Sequence, residues 1–332
     1  MEELLRELQQ AMAAHRRALD EKPDPATGLR RPKPVTPAGD ARLQLMQRLT
    51  ADIERLSGIE ITATVLTKLS RALASVDLAE LELWIGRLHL LPADDPEWLS
   101  LIECVTVHET FFHRDRFQLE LLARRLLPEI IAEAARSGRR SLRFWSAGCA
   151  TGEEAYTLAI LGLLALRDAG FAEEATDRGI RCRPPWRLDV LGTDISRLVL
   201  AQARAAVYPT HALGAFRDLP RQLERFFPIA PQSAEAELRS VHAAVKEHVR
   251  FAQFNLLSRS PPETGFDIVL CRNVLIYLTA AARGAAQGNL KQVLRPGGYL
   301  LLGPTDTALD LAAYEVCWGE GALAYRRKSD DA

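Results

Sequence analysis

The sequence predicts an α/β fold: an open, mostly parallel sheet with a small antiparallel β insert, preceded by an all-helical N-terminal domain. Three observations carry this. Apolar residues keep a helical spacing from about residue 41 to 135. From 141 onward, short apolar runs alternate with turns and helical stretches. A glycine turn and an acidic helix start follow the first of those runs directly. The 332 residues favour two domains, and a hydrophobic content of 48% supplies their cores.

Residues 1–22 predict one amphipathic helix with Leu4, Leu5, Leu8 and Met12 on a face. Pro23, Pro25, Pro32, Pro34 and Pro37, among Arg30, Arg31 and Lys33, make 23–40 an extended linker. The helical domain is expected over 41–138. Its first helix carries Leu43, Met46, Leu49, Ile53 and Leu56 and breaks at Ser57-Gly58. A second covers 62–75, a third runs from Leu78 to Leu90 ahead of Pro92, and a fourth from Pro96 to Val107. The fifth, from Asp115 to Ala135, closes at Ser137-Gly138. The sheet domain is expected over 139–332, with strands at 141–146, 187–193, 266–271 and 298–303. Pro296-Gly297-Gly298 turns into the last of them. Weaker alternation between 226 and 254, with 248–254 as one piece, predicts the antiparallel insert.

A formal net charge of −1 provides no global field for nucleic acid or an anionic membrane. The chain lacks an 18-residue apolar run and begins with an acidic segment, so a cytoplasmic protein without direct membrane insertion is expected. Cys104, Cys149, Cys182, Cys271 and Cys317 show neither CxxC nor zinc spacing. Buried free thiols and no metal centre are expected.

The segment from Leu142 to Tyr156 holds the most chemistry. Strand, then Gly148-Cys149-Ala150-Thr151-Gly152, then helix is how an open α/β sheet brings backbone close to a nucleotide-like ligand. Gly148 and Gly152 permit the tight turn and leave no Cβ in the ligand's way. Glu153 and Glu154 occupy the first helical turn, where they would repel a phosphate. They suit a cationic ligand rich in hydroxyl donors, and S-adenosylmethionine offers an ammonium, a sulfonium and a ribose. The plainer reading is a strand-turn-helix with acids placed favourably at its start.

Asp194, in Leu191-Gly-Thr-Asp-Ile-Ser196, ends the second strand, positioned to accept two hydrogen bonds from a ribose diol. Asp194 or Ser196 can equally cap the helix over 196–206. The long interval between Gly148 and Asp194 implies an insertion through Arg181-Cys-Arg-Pro-Pro-Trp186. The strand at Phe266 empties Arg272, Asn273 and Tyr277 into the crevice at its C-terminal end. Asn255, in Phe254-Asn-Leu256-Leu257, offers an amide to an adenine edge. Thr110-Phe111-Phe112-His113-Arg114 joins the two domains, and Arg114 either anchors a carboxylate or makes a surface ion pair.

Together these segments closely resemble the CheR-type S-adenosylmethionine-dependent methyltransferases, which esterify glutamates on bacterial chemoreceptors. The resemblance spans about residues 41–327. Glu109-Thr110-Phe111-Phe112-His113-Arg114 is similar to the family's Glu-Thr-x-Phe-Phe-Arg signature, and the Trp-Ser-Ala-Gly-Cys-x-Thr-Gly-Glu-Glu turn is complete at 145–154. The Thr-Asp-Ile, Asn-Leu-Leu, Cys-Arg-Asn-Val-x-Ile-Tyr and Pro-Gly-Gly segments follow in the family's order. The resemblance implies a Rossmann-like class I methyltransferase sheet of seven strands. It places Thr110, Arg114, Glu154, Asp194, Asn255, Leu256, Arg272 and Asn273 at the cofactor, beside the Gly148 turn. Arg114 and Tyr277 would face the methyl-accepting carboxylate as the catalytic pair, with S-adenosylhomocysteine as product and a methyl-accepting chemoreceptor as partner. Four features depart from the pattern. His108 stands where many members have Asn or Gly, and His113 where the second phenylalanine of the Phe-Phe pair is usual. Gly303-Pro304-Thr305-Asp306 replaces Gly-His-Ser/Thr-Glu, and the second helix offers only Lys68 and Arg71 where receptor-binding members are strongly basic. Another acceptor on the same chemistry, or a non-catalytic scaffold, are the alternatives.

Overall fold

The computed structural model describes residues 38–329 except 212–213 and 232–236, so the expected helix over 1–22 and most of the 23–40 linker lie outside the described residues. The chain divides into two compact units, Met1–Thr106 and Val107–Ala332.

The first unit contains α1 (Ala38–Ser57), α2 (Ala63–Ala72), α3 (Leu78–Leu88) and α4 (Pro96–Val105). Thr62, Asp77 and Asp95 each accept a backbone N–H from the first turn of the helix they precede, which sets three of the starts. Pro96 stands at the opening of α4, where a missing N–H is harmless. Leu49, Ile53, Leu81, Trp84, Ile85, Leu88, Trp98 and Leu101 are buried. The Trp98 indole N–H donates to the Leu88 carbonyl at 3.0 Å, so the ring is buried without orphaning its polar atom.

The second unit opens with an irregular segment, followed by α5 (Arg116–Leu121), one π turn (Leu122–Leu126) and α6 (Leu127–Arg136). The expected domain boundary at 138 is therefore too late. Phe112, Leu119, Leu122, Leu126, Leu127, Ile130 and Ile131 share one buried cluster with Phe144, Leu158 and Leu188 of the sheet layer. Helical periodicity reveals an apolar stripe but not which core that stripe covers.

Then follow β1 (Ser141–Ala147), α7 (Glu153–Asp168), the hairpin of β2 (Ala172–Glu174) and β3 (Ile180–Cys182), and β4 (Arg187–Asp194). Next come α8 (Arg197–Ala205), β5 (Val207–Pro209), β6 (Leu238–Ser240), α9 (Ala243–Lys246) and β7 (Val249–Gln253). The chain ends through β8 (Phe266–Cys271), α10 (Ala280–Val293), β9 (Leu294–Leu302), β10 (Tyr314–Gly319) and β11 (Ala322–Arg327). Seven strands form the main sheet in the order β10-β11-β9-β8-β1-β4-β7. The five from β9 to β7 are mutually parallel, while β11 runs antiparallel to both β9 and β10.

The insert is smaller than expected and displaced. Its ladder is β5 against β6, with one further bridge from Ile229 to Arg239. The 248–254 piece is no part of it: β7 pairs in parallel with β4, from Val190↔Val249 to Asp194↔Gln253, as an edge of the main sheet. An edge strand keeps a mixed, half-exposed composition, which alternation alone does not distinguish from a small separate ladder. β9 starts four residues early because Leu294 pairs with Phe266, before a register shift through Pro296-Gly297. The five cysteines are free, Cys149 and Cys271 buried and the other three half-buried.

The placement of the site follows from this topology. β4 and β7 lie on one side of β1, and β8 and β9 on the other. The order reverses between β1 and β8, and the crevice beyond their C-terminal ends is where open α/β sheets bind ligands.

Candidate active site

Ala147 ends β1 and the chain turns at once. Gly148 has φ +81°, and an added Cβ would lie 2.4 Å from Val274 Cγ2. Gly152, at φ +95°, has the same constraint against Ala203 Cβ at 2.9 Å. The N–H groups of Gly148 and Cys149 both donate to the Thr193 carbonyl at 2.8 Å, stitching the turn to the end of β4. Asp194 completes the stitch: Oδ2 accepts the Ala150 N–H and Oδ1 the Ser196 N–H, each at 3.0 Å. Ser196 itself caps α8 by accepting from Val199 N–H. Asp194 is therefore not the helix cap but a buried brace between the 148–152 turn and the loop after β4. Burial pushes its carboxyl up, while the Ser196 N–H and His108, whose Nε2 lies 4.0 Å from Oδ1, pull the other way.

Glu154, the second residue of α7, accepts the Ser146 hydroxyl at 2.7 Å and faces Arg272 Nη1 at 3.3 Å. Burial raises its pKa and the Arg272 guanidinium opposes the rise. Arg272 follows β8 and is 6% exposed. It also donates to Asp115 Oδ2 at 2.8 Å and to the Arg114 carbonyl. Asn273, held at φ +57°, has a buried side-chain oxygen with no hydrogen-bond partner among the described residues. Gly148, Glu154, Asp194, Arg272 and Asn273 thus lie at or just beyond the ends of β1, β4 and β8.

The other expected residues lie around this cluster. Arg114 Nη1 donates to the Glu109 carbonyl at 2.7 Å, and its guanidinium stands 5.7 Å from the Phe111 ring centroid. A backbone oxygen thus holds one of its donors. Thr110 is half-buried in the same segment. The Phe254 N–H donates to the Asp194 carbonyl, which carries the following loop to the site. In that loop Asn255 Oδ1 accepts the Leu257 N–H at 2.9 Å, and Asn289 donates to the Leu256 carbonyl at 2.8 Å. Tyr277, in a single 3₁₀ turn, is 38% exposed. His113, at φ +63°, is buried, and burial lowers its pKa.

Sequence reasoning missed three supports. Asp115 holds Arg272 from a left-handed backbone position, φ +58°, with no sequence signal. The Tyr208 hydroxyl donates to the Thr151 carbonyl at 2.7 Å from the strand β5. Asn289 reaches the 256–258 loop from the helix α10. The latter two contacts bridge 57 and 33 residues respectively, beyond any local pattern.

Glu153 behaves differently from its neighbour. It is 3% exposed, and burial pushes its carboxyl up to about 7 despite a 2.6 Å hydrogen bond from the Thr151 hydroxyl. Its folded pKa lies above the unfolded one, so between about pH 4.5 and 7 the native state binds the extra proton and stability falls as pH rises. Glu153→Gln is therefore expected to raise the melting temperature at pH 8 and change it little at pH 5. Equal shifts in thermal melts at the two pH values would refute this.

Comparison with known proteins settles the class. The model of the CheR methyltransferase, SAM binding domain, matches residues 108–316. This chain belongs to the CheR methyltransferase family. Chemotaxis protein methyltransferase 1 of Pseudomonas aeruginosa is 34% identical over 69% of this chain and 77% of its own length. A chemotaxis protein methyltransferase of Vibrio parahaemolyticus is 32% identical over 69% and 76% respectively. Among solved structures, the N-methyltransferase NodS of Bradyrhizobium japonicum, in complex with S-adenosyl-L-homocysteine, is 16% identical. It covers 67% of this chain and 90% of its own, with a TM-score of 0.35, too slight a likeness to add weight.

As a CheR-family methyltransferase the protein uses S-adenosylmethionine, and its residues suit that cofactor. Val274 leaves no room for a Cβ at Gly148, so the turn keeps its bare backbone, and Asn273 has a buried oxygen that lacks a donor among the described residues. Among the described residues no helix is long and apolar enough to cross a membrane.

Proposed function

We propose that this CheR-family enzyme transfers methyl groups to glutamate side-chain carboxylates of a chemoreceptor-like protein in the cytoplasm, giving glutamate methyl esters and S-adenosylhomocysteine. The observation that carries the reading is the pair of contacts made by Arg272, an ion pair with Glu154 and a hydrogen bond to the Arg114 carbonyl. One buried guanidinium thereby sets the Arg114 segment against the end of α7. Two relatives named as chemotaxis protein methyltransferases support the receptor-like acceptor.

Thr110, Arg114, Glu154, Asp194, Asn255, Leu256, Arg272 and Asn273 would hold the cofactor over the Gly148 turn. Its sulfonium supplies an electrophilic methyl carbon. A glutamate has a reference pKa of about 4.3 and is already ionised at neutral pH, so no residue of this chain has to take a proton. The task left to the protein is alignment and exclusion of water. A guanidinium has five N–H donors. Arg114 gives one to Glu109 and keeps the rest for the acceptor carboxylate, and Tyr277 offers a hydroxyl to the same group.

Arg114→Ala is expected to lower kcat by about a hundredfold, the order a misplaced reactant costs. The affinity for S-adenosylhomocysteine should fall far less than turnover, and a calorimetric loss comparable with the loss of turnover would leave Arg114 a cofactor contact alone. The function itself is tested with radiolabelled S-adenosylmethionine on membrane and soluble fractions of the host, with Asp194→Ala as control. Label on a membrane protein that leaves as methanol in mild base is the expected result; base-stable label excludes carboxylate chemistry.

A further inference from the structure

A cavity of about 280 Å³ lies at the C-terminal end of β9, against the β10-β11 hairpin and the start of α5. Its walls include Asp115, Phe117, Gln118, Asp306, Trp318 and Leu323, and among the described residues the lining holds no Lys, Arg or His. Gln118 is 7% exposed. Its amide N–H donates to the Leu302 carbonyl at 2.7 Å, which fixes the orientation of the amide and leaves the buried Oε1 without a partner among the described residues. Asp306 Oδ2 is likewise buried and unpartnered. Burial raises the Asp306 carboxyl, opposed by the charge of Arg283, which is outside the lining. Both residues belong to the lining, and a buried acceptor without a donor is costly.

The rest of the lining narrows the choice of donor. Phe117 and Trp318 are 54% and 67% exposed, large aromatic faces on a solvent-facing rim. A long side chain with an apolar stem and a planar cationic end satisfies both halves, because a guanidinium presents several donors in a fork and stacks on aromatic rings. Asp115, on the same wall, bonds Arg272 and so joins the cavity to the Glu154 pair.

We propose that this cavity receives an arginine side chain of the methyl-accepting protein, near the glutamate it presents. The proposal rests on the function proposed above only for the identity of the protein that brings the arginine. Its first test needs no turnover. The protein, saturated with S-adenosylhomocysteine as checked by calorimetry, is titrated with n-butylguanidinium and with neutral n-butylurea while tryptophan fluorescence is followed. A saturable change with n-butylguanidinium, lost in Trp318→Phe, is expected, with n-butylurea at least tenfold weaker. Asp306→Asn should weaken the cation at least tenfold and leave S-adenosylhomocysteine binding unchanged. Equal affinity for the two probes, indifference to Asp306→Asn, or no saturable change overturns the site. In the labelling assay n-butylguanidinium should raise KM for the membrane acceptor and leave kcat alone. Cation binding without that competition overturns the acceptor as the source of the arginine. An absence of label before any titrant is added counts against the proposed function alone.

Discussion

Replacing Arg272 with methionine is expected to lower the unfolding free energy by about 3–5 kcal/mol, the usual price of stranding one half of a buried ion pair. The Arg272 side chain is 2% exposed and bonds Glu154, Asp115 and the Arg114 carbonyl. Methionine fills much of the volume but leaves the Glu154 carboxylate without its cation. That carboxyl is already raised by burial, and Arg272 is the largest influence holding it down. Its pKa must climb further in the variant. Urea denaturation of wild type, Arg272→Met, Glu154→Gln and the double variant measures the effect. The double variant should recover about 0.5–3 kcal/mol of the sum of the single losses, as expected for residues in contact. Additive losses, or an Arg272→Met loss below about 1 kcal/mol, would show that the pair does not hold the strand ends together.

The parts of this site that could be read from sequence are those where a strand and its turn are contiguous. Leu142-Arg-Phe-Trp-Ser-Ala before Gly148 marks a strand, and two glycines four residues apart require a particular turn, so the turn is legible from local chemistry. Asp194 and Arg272 were evident for the same reason, each standing where a buried strand ends. What was hidden depends on distance or on backbone conformation. Asp115 holds Arg272 across 157 residues from a left-handed position that aspartate tolerates without advertising. The division of labour between Asp194 and Ser196 was open because either can cap a helix; only the Ala150 N–H, 44 residues away, makes Asp194 the brace. β10 and β11 were missed although a signal existed. Tyr314–Gly319 and Ala322–Arg327 flank Glu320-Gly321, both at positive φ, the backbone of a two-residue hairpin turn. A glutamate in the first turn position concealed it.

Asp194→Ala is expected to weaken S-adenosylhomocysteine at least a hundredfold while the protein stays folded. The carboxylate has about four acceptor positions. The Ala150 and Ser196 N–H groups engage one on each oxygen, which leaves capacity on both for a pair of ribose hydroxyls. Hydrogen bonds to a charged group are worth roughly 1.5–3 kcal/mol each, so losing two accounts for a factor of 10² or more before the turn itself relaxes. Asp194→Asn separates the two contributions. An amide keeps one acceptor oxygen and most of the shape but lacks the charge and puts a donor against an N–H. It should fall between wild type and alanine if the oxygens act mainly on the ligand. If both variants lose affinity equally, the brace on Ala150 is the larger part of the effect. Calorimetric titration of the three proteins distinguishes these outcomes, and a loss below tenfold in Asp194→Ala would remove the residue from the cofactor site.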